Sequence, residues 1–123
     1  MWTVEYTDTF GAWYESLSED DQERVRTVVD RLEQLGPGLR RPTVGTLRGS
    51  RFGPQMRELR IGTIRVLFAF DPHRVAILLI GGDKRGTWNE WYARAIPEAD
   101  DLYEAHLEEI ARGQGDDDDE EVE

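Results

Sequence analysis

From Met56 to Phe70 the chain reads MRELRIGTIRVLFAF, and this stretch predicts an antiparallel hairpin. On each side of Gly62-Thr63 the apolar residues recur at alternate positions, which is typical of strands that bury one face. A two-residue loop that begins with glycine favours a type II′ turn. Such a loop sets the pairing register, because Ile61 must then lie opposite Ile64. The stretch therefore predicts two neighbouring strands, Gln55–Ile61 and Ile64–Phe70, with a defined set of opposed residues.

That register divides the side chains of the hairpin between two faces. One face packs on helices and carries apolar residues, namely Leu59, Ile61, Ile64, Val66, Phe68 and Phe70. The other face carries Met56, Glu58 and two arginines, Arg60 and Arg65, which lie directly opposite each other. Like charges in that position destabilise a sheet. Two interpretations stay open: Glu58 bridges the arginines as a surface salt-bridge cluster, or the arginines bind a phosphate together with Lys84 or Arg85.

The rest of the chain supplies a further strand and several helices around this hairpin. Asp8 or Thr9 caps a short helix, and Ser18 opens a longer one through a capping box. That longer helix has an apolar stripe of Val25, Val28, Val29, Leu32 and Leu35. Strands are predicted at Trp2–Tyr6 and Val75–Gly81, with a short one at Val44–Leu47, and helices at Trp88–Ala95 and from Pro97 onward.

These elements predict an α+β domain built as one layer on another. In it an N-terminal strand and a helical hairpin pack on an antiparallel β-meander, and a C-terminal helix closes the fold. A four-residue turn at 71–74 predicts that Ile80 lies opposite Arg65. Residues Val75–Ile80 of the last strand are apolar on both faces, so we expect this strand to be central.

The charge of the chain is unevenly distributed. Its 15 Lys and Arg and 26 Asp and Glu give a formal net charge of −11, which by itself argues against binding nucleic acid. Residues 40–94 nevertheless hold eleven basic side chains against four acidic ones. Residues 113–123 are glycine and acid rich, so we predict a domain over 1–112 followed by a disordered acidic tail over 113–123.

Other chemistries find little support in the sequence. The chain has no cysteine, so thiolate metal sites are excluded. Its two histidines, His73 and His106, lack the spacing of metal ligands, and we expect neither a metal nor another cofactor. No apolar run is long enough to span a bilayer, so we expect a cytoplasmic protein.

Four segments together resemble the RelE/ParE superfamily of toxins from toxin–antitoxin systems, and most closely its HigB-like, phage-derived branch. They are Met56-Arg-Glu-Leu-Arg60, Ile64-Arg-Val-Leu-Phe68, Ile80-Gly-Gly-Asp-Lys84-Arg85 and Trp91-Tyr92. The similarity covers about residues 2–111. It implies a type II toxin that cuts mRNA on the translating ribosome, and a cognate antitoxin that is commonly a helix-turn-helix DNA-binding protein.

The resemblance also implies roles for individual residues. Arg65 matches the arginine that holds the scissile phosphate, and Arg60 matches a cation at the end of the preceding strand. Lys84 and Arg85 match a basic pair after the last strand, and Tyr92 matches an aromatic hydroxyl residue that orients the substrate. We assign these five residues to catalysis, and we predict that RNA is bound by Arg48, Arg51, Arg57 and Trp91.

The residue types suggest metal-independent cleavage through attack by the 2′-hydroxyl, with arginines stabilising the charge that develops on phosphorus. Arginine cannot accept the proton because it stays charged at any working pH. The base is therefore Glu58, a Tyr92 of lowered pKa, Lys84 or a group on the ribosome. Met56 and Glu58 stand where the best-studied branch has lysines. Two alternatives follow: a catalytically inactive phage-derived or regulatory protein of the same fold, and a ParE-like toxin that binds DNA gyrase.

Overall fold

A computed structural model describes residues 1–83, 85 and 88–122, except for the side chains of Trp88 and of 114–122. The strands are β1 (Thr3–Tyr6), β2 (Val44–Thr46), β3 (Met56–Ile61), β4 (Ile64–Phe70) and β5 (Val75–Asp83). The helices are α1 (Asp8–Glu15), α2 (Glu19–Leu35) and α3 (Trp88–Val122), and short 3₁₀ turns occupy Gly36–Gly38 and Gly53–Gln55.

The five strands form one sheet in the order β1-β5-β4-β3-β2. All neighbours pair antiparallel except β1 and β5, which run parallel. The last strand, β5, therefore lies inside the sheet, as its run of apolar residues predicts. The α+β fold of the N-terminal strand, helical hairpin, meander and closing helix is confirmed.

Pairing between β3 and β4 follows the predicted register in full. Ile61 lies opposite Ile64, and Arg60 lies opposite Arg65. The register between β4 and β5 differs from the prediction, because Arg65 lies opposite Gly82 rather than Ile80. Phe70 pairs with Ala76, one residue later than a four-residue turn gives, and a bulge between Leu67 and Phe68 adds a second residue. A shift of one residue moves side chains to the opposite face of the sheet, and a second shift moves them back. Gly82 and Ile80 therefore both lie on the same face as Arg65.

The sheet is covered on both sides, so the two-layer arrangement predicted from sequence is wrong. Helices α1 and α2 pack on the face that carries Leu59, Val66 and Phe68. Helix α3 packs on the other face, where it buries Trp91, Ala95, Ala99 and Tyr103 against the sheet. On that second face, β3, β4 and β5 contribute Met56, Leu67, Ala69, Ile77 and Leu79.

Several helix boundaries also differ from the predictions. The side chain that caps α1 belongs to Thr7, whose hydroxyl accepts a hydrogen bond from the Phe10 amide. Ser18 caps α2 as predicted, but Leu35 at the end of its stripe is 50% exposed. Pro97 lies inside α3 and starts no new helix. Proline removes one backbone hydrogen bond from the helix, and Ala95 and Ala99, on either side of Pro97, are both buried against the sheet.

The backbone of α3 continues to Val122, through the acidic residues that the sequence predicts to be disordered. The division into a domain over 1–112 and a tail over 113–123 stays a prediction.

Within the described part of the chain, no helix is both long and apolar enough to cross a membrane.

Candidate functional site

Glu58 is the centre of a polar cluster between the sheet and α3. The residue is 3% exposed, and its carboxylate accepts a hydrogen bond from the hydroxyl of Tyr92. Arg60 donates from Nε to Oε2 over 3.0 Å, and Arg65 Nε lies 3.9 Å from Oε1. We call Glu58, Arg60, Arg65 and Tyr92 the Glu58 cluster.

Local sequence and long-range packing both contribute to this cluster. The β3–β4 register places the two arginines opposite each other, and Glu58 follows the same face two residues before Arg60. Tyr92 arrives from α3, one residue after the buried Trp91. Of the two interpretations left open by the sequence, the bridging of both arginines by Glu58 matches the geometry. The cluster is nevertheless mostly buried, and is therefore not the surface cluster expected.

The two arginines of the cluster have different environments. Arg65 is 7% exposed, and its Nη1 donates to the carbonyl oxygens of Gly62 (2.6 Å) and Ile64 (2.9 Å). It therefore ties the hairpin turn to the cluster. The Arg60 side chain is 36% exposed, and its guanidinium lies over Gly45 of the neighbouring strand. Arg60 is thus the arginine of the cluster that a ligand from solvent can reach.

Tyr92 is a hydrogen-bond donor in this site. Burial, together with the hydrogen bond to Glu58, raises the pKa of the Tyr92 hydroxyl well above its ordinary value of 10. The phenol therefore stays neutral at working pH. A Tyr92 of lowered pKa, which the sequence left open as the general base, does not fit this environment.

Arg85 is held by a different carboxylate. Its Nη2 lies 2.8 Å from Asp83 Oδ2, and its backbone N–H donates to Asp83 Oδ1. The side-chain hydrogen bond from Arg85 lowers the pKa of Asp83 to about 2, and the pKa of Arg85 is raised in turn. The structure therefore places Arg85 with Asp83 and shows no convergence on Glu58. Lys84, which was predicted to join them, lies outside the described residues.

The four residues predicted to bind RNA do not form one surface. Trp91 is 7% exposed and packs between α3 and the sheet, so its ring is not free to contact RNA as predicted. Arg51 pairs with Asp101 and Glu104 of α3. Arg57 lies on the opposite face of the sheet from Glu58, and Arg48 is exposed just after β2.

Two consecutive glycines at the end of β5 serve packing, a role that the sequence analysis missed. A Cβ on Gly81 would lie 2.3 Å from the ring of Trp13, and one on Gly82 would lie 2.1 Å from Nε1 of Trp91. The two indole rings therefore press on the sheet from opposite sides. Tryptophans in α1 and α3 beside a glycine pair in the strand between them are the signal that could have indicated this.

The described residues contain no group of three or more histidine, aspartate and glutamate side chains placed to hold a metal ion. The chemistry available at the Glu58 cluster is that of cations and hydrogen-bond donors. A partly exposed arginine held in place by a buried carboxylate is an arrangement that can receive an anion.

The five-stranded sheet, with a helical hairpin on one face and a C-terminal helix on the other, matches the fold of solved RelE toxins. The RelE–RelB complex from Pyrococcus horikoshii OT3 matches with a TM-score of 0.57 at 20% identity, over 70% of this chain and 98% of that chain. The isolated RelE toxin of E. coli matches with a TM-score of 0.57 at 12% identity, over 77% and 99%. At these identities the likeness establishes the fold.

Sequence comparison gives the family. Residues 12–104 match the model of the phage-derived Gp49-like proteins, and the chain belongs to that family. HigB3 of Mycobacterium tuberculosis, a candidate toxin, is 50% identical over 97 residues, which is 77% of this chain and 84% of HigB3. HigB2 of the same organism, also a candidate toxin, is 41% identical over 111 residues, 86% of this chain. The match spans about half of HigB2, 54% of its length. The prediction of a HigB-like, phage-derived protein is confirmed by these relatives, and the solved structures confirm the RelE-like fold.

Proposed function

We propose that this chain is the toxin of a type II toxin–antitoxin system and that it cleaves mRNA on the translating ribosome. Its HigB relatives and its RelE-like fold support the first statement. The observation that carries the second is the Glu58 cluster, in which an accessible arginine is held beside a buried carboxylate and a neutral phenol. Such an arrangement suits the binding of a phosphodiester.

In this proposal Arg60 binds the scissile phosphate, in place of Arg65, to which the family resemblance gave this role but which is only 7% exposed. Arg60 carries a permanent positive charge, and its position is defined by Glu58 on one side and the backbone of Gly45 on the other. The oxygen of the ribose 2′-hydroxyl attacks phosphorus and gives its proton to a base, and the 5′-oxygen of the next nucleotide leaves and takes up a proton from water. The products are a 2′,3′-cyclic phosphate and a 5′-hydroxyl. Charge that builds up on the phosphoryl oxygens in the transition state is stabilised by the guanidinium.

Glu58 is a positioning residue in this mechanism. Both of its carboxylate oxygens are engaged, and its side chain is only 4% exposed. A general base must come within hydrogen-bond reach of the proton that it removes. Since Tyr92 is held neutral, the acceptors that remain for the 2′-hydroxyl proton are Lys84 and a group of the ribosome.

The proposed partner is a cognate antitoxin that holds the toxin inactive in the cytoplasm. Several of the solved structures with this fold are RelE–RelB complexes, from Pyrococcus horikoshii OT3 and E. coli among others. By its resemblance to the HigB-like branch, we propose that the antitoxin of this chain is a helix-turn-helix protein.

One observation favours a second candidate function, a protein that keeps the fold without the nuclease activity. Glu58 already compensates part of the charge of both Arg60 and Arg65. In that case the cluster stabilises the hairpin, and its removal affects folding alone.

Mapping of RNA ends after induction separates these functions. We expect primer extension to show cuts within translated codons for the wild type and a loss of at least tenfold in cutting for Arg60→Gln. Arg31→Gln, which removes an exposed charge on α2, is the matched control and should cut like the wild type. Intact transcripts after wild-type induction would contradict the nuclease proposal, and a DNA-damage response in their place would favour gyrase as the target.

A further inference from the structure

A groove of about 470 Å³ beside the edge strand β2 contains three arginines. Arg40 and Arg41 lie on the segment that leads into β2, and Arg57 lies on β3 opposite Thr46. The other lining residues are Pro37, Leu39, Val44, Gly45 and Thr46. None of the described lining residues is acidic.

The arginines of this groove have no acidic partner in the described part of the chain. No carboxylate there lies within 4.0 Å of Arg40, Arg41 or Arg57, whereas Arg51 and Arg60 each have one within 3.2 Å. Arg40 and Arg41 are also exposed to solvent. Three uncompensated cations around one concave surface give a positive potential that attracts an anionic ligand.

The composition of the groove favours a sugar–phosphate backbone over an apolar partner. Leu39 and Val44 are only 4% and 6% exposed, so they form the floor and offer little apolar contact. The guanidinium of Arg57 lies 5.6 Å from the centre of the Phe70 ring, which restricts its position. The guanidinium group of arginine can bind two oxygens of one phosphate. Three arginines along one groove therefore suit a ligand with several phosphates in a row.

The groove is next to the Glu58 cluster, separated from it by one short strand. Strand β2 has three residues with Gly45 at its centre, and Gly45 lines the groove. The Arg60 guanidinium lies over the same glycine, where a Cβ would be 2.3 Å from its Nη2. An extended ligand that crosses the edge of the sheet at Gly45 can therefore contact the groove and Arg60 together.

We infer that the Arg40–Arg41–Arg57 groove binds the sugar–phosphate backbone of single-stranded RNA and guides it over β2 to Arg60. This inference rests on the proposed RNA-directed function and adds the path of the substrate. The glycine at the centre of β2 has a role in this path, because any side chain there would displace Arg60.

The test measures binding separately from cleavage. The probe is a fluorescein-labelled single-stranded RNA with 2′-O-methyl groups throughout, which cannot be cut by attack of a 2′-hydroxyl. Anisotropy titrations over a range of salt concentrations compare the wild type with the double variant Arg40→Gln/Arg41→Gln. The matched control is Arg31→Gln/Arg112→Gln, which removes the same charge from exposed positions on α2 and α3.

We expect the groove variant to bind the probe at least tenfold more weakly at low salt. Its plot of log affinity against log salt should be shallower by about 1.4, since each phosphate contact on single strands contributes about 0.7. The control should keep the wild-type slope. Arg57→Gln, tested alone, should lower the slope by about half as much.

Equal affinity and slope in the groove variant, the control and the wild type would overturn the inference. A groove variant that binds RNA normally but loses binding to a labelled polyglutamate peptide would overturn it too, and would assign the groove to an acidic protein segment. The proposed function has its own readout in the mapped transcripts. A wild type that cuts no RNA but binds the probe through the groove would refute the nuclease and support the groove.

Discussion

Replacement of Gly82 by alanine tests the contact on which the position of α3 depends. The added Cβ would lie 2.1 Å from Nε1, 2.5 Å from Cε2 and 2.8 Å from Cζ2 of the Trp91 indole. All three distances are far below van der Waals contact, so the ring, and with it the start of α3, must move by about 1 Å or more. Overpacking of this kind costs about 1–3 kcal/mol.

Gly38→Ala is the matched control, since a Cβ there would meet nothing within 4 Å. We expect Gly38→Ala to be neutral or to stabilise the protein by a few tenths of a kcal/mol through the unfolded chain. Urea unfolding followed by circular dichroism measures both variants. For Gly82→Ala we expect a loss of about 2 kcal/mol, which corresponds to a fall in Tm of about 6–10 °C for a chain of this size.

The contact can also be tested by compensation. In Gly82→Ala/Trp91→Phe the smaller ring leaves room for the new methyl group, so the double variant should lose less stability than the two single losses added together. Because Trp91 precedes Tyr92, Gly82→Ala should also weaken the hydrogen bond to Glu58 and reduce cleavage. A Gly82→Ala variant as stable as Gly38→Ala would refute the reasoning, since the indole could not then lie on the strand.

Three further predictions concern charged groups. Arg65→Ala should destabilise the fold by about 3 kcal/mol in urea unfolding, because the negative charge of the buried Glu58 then has one cation fewer beside it. A loss of toxicity in this variant therefore reports on catalysis only when its stability is measured as well. In Glu58→Gln the pKa of Tyr92 should fall, because the carboxylate charge is lost. It should still stay above 10, because burial is the largest cause of the raised pKa, and ultraviolet titration against the wild type checks this. The lowered pKa of Asp83 stabilises the fold above about pH 3.8, and this contribution is lost as the pH falls from 3.8 to about 2. In Arg85→Gln the pKa of Asp83 should return toward 3.8, which NMR of the carboxyl carbon measures.

Much of the sheet was predictable because its signals are local. A two-residue loop admits few backbone conformations, so the register of β3 and β4 follows from Gly62-Thr63. The turn before β5 is longer and is followed by a bulge, and neither shift has a marked signal in the sequence. The prediction of Ile80 opposite Arg65 failed there for that reason.

The cover on the second face of the sheet was not predicted, although the sequence holds a sign of it. Leu67 and Ala69 are apolar at positions on the same face of the hairpin as Glu58, and both are fully buried under α3. The periodicity of the hairpin shows which residues share a face. It does not show which helix covers them, because that depends on the packing of the whole chain.

The candidate site divides in the same way. By itself the sequence determined that Arg60 and Arg65 are opposed, since a tight turn fixes geometry over a few residues. Only the tertiary structure decided what surrounds them: Glu58 buried between both, Tyr92 brought from α3, and Gly45 beneath Arg60. Contacts between residues that are distant in sequence arise from the burial of apolar surface on both faces of the sheet, which no local pattern specifies.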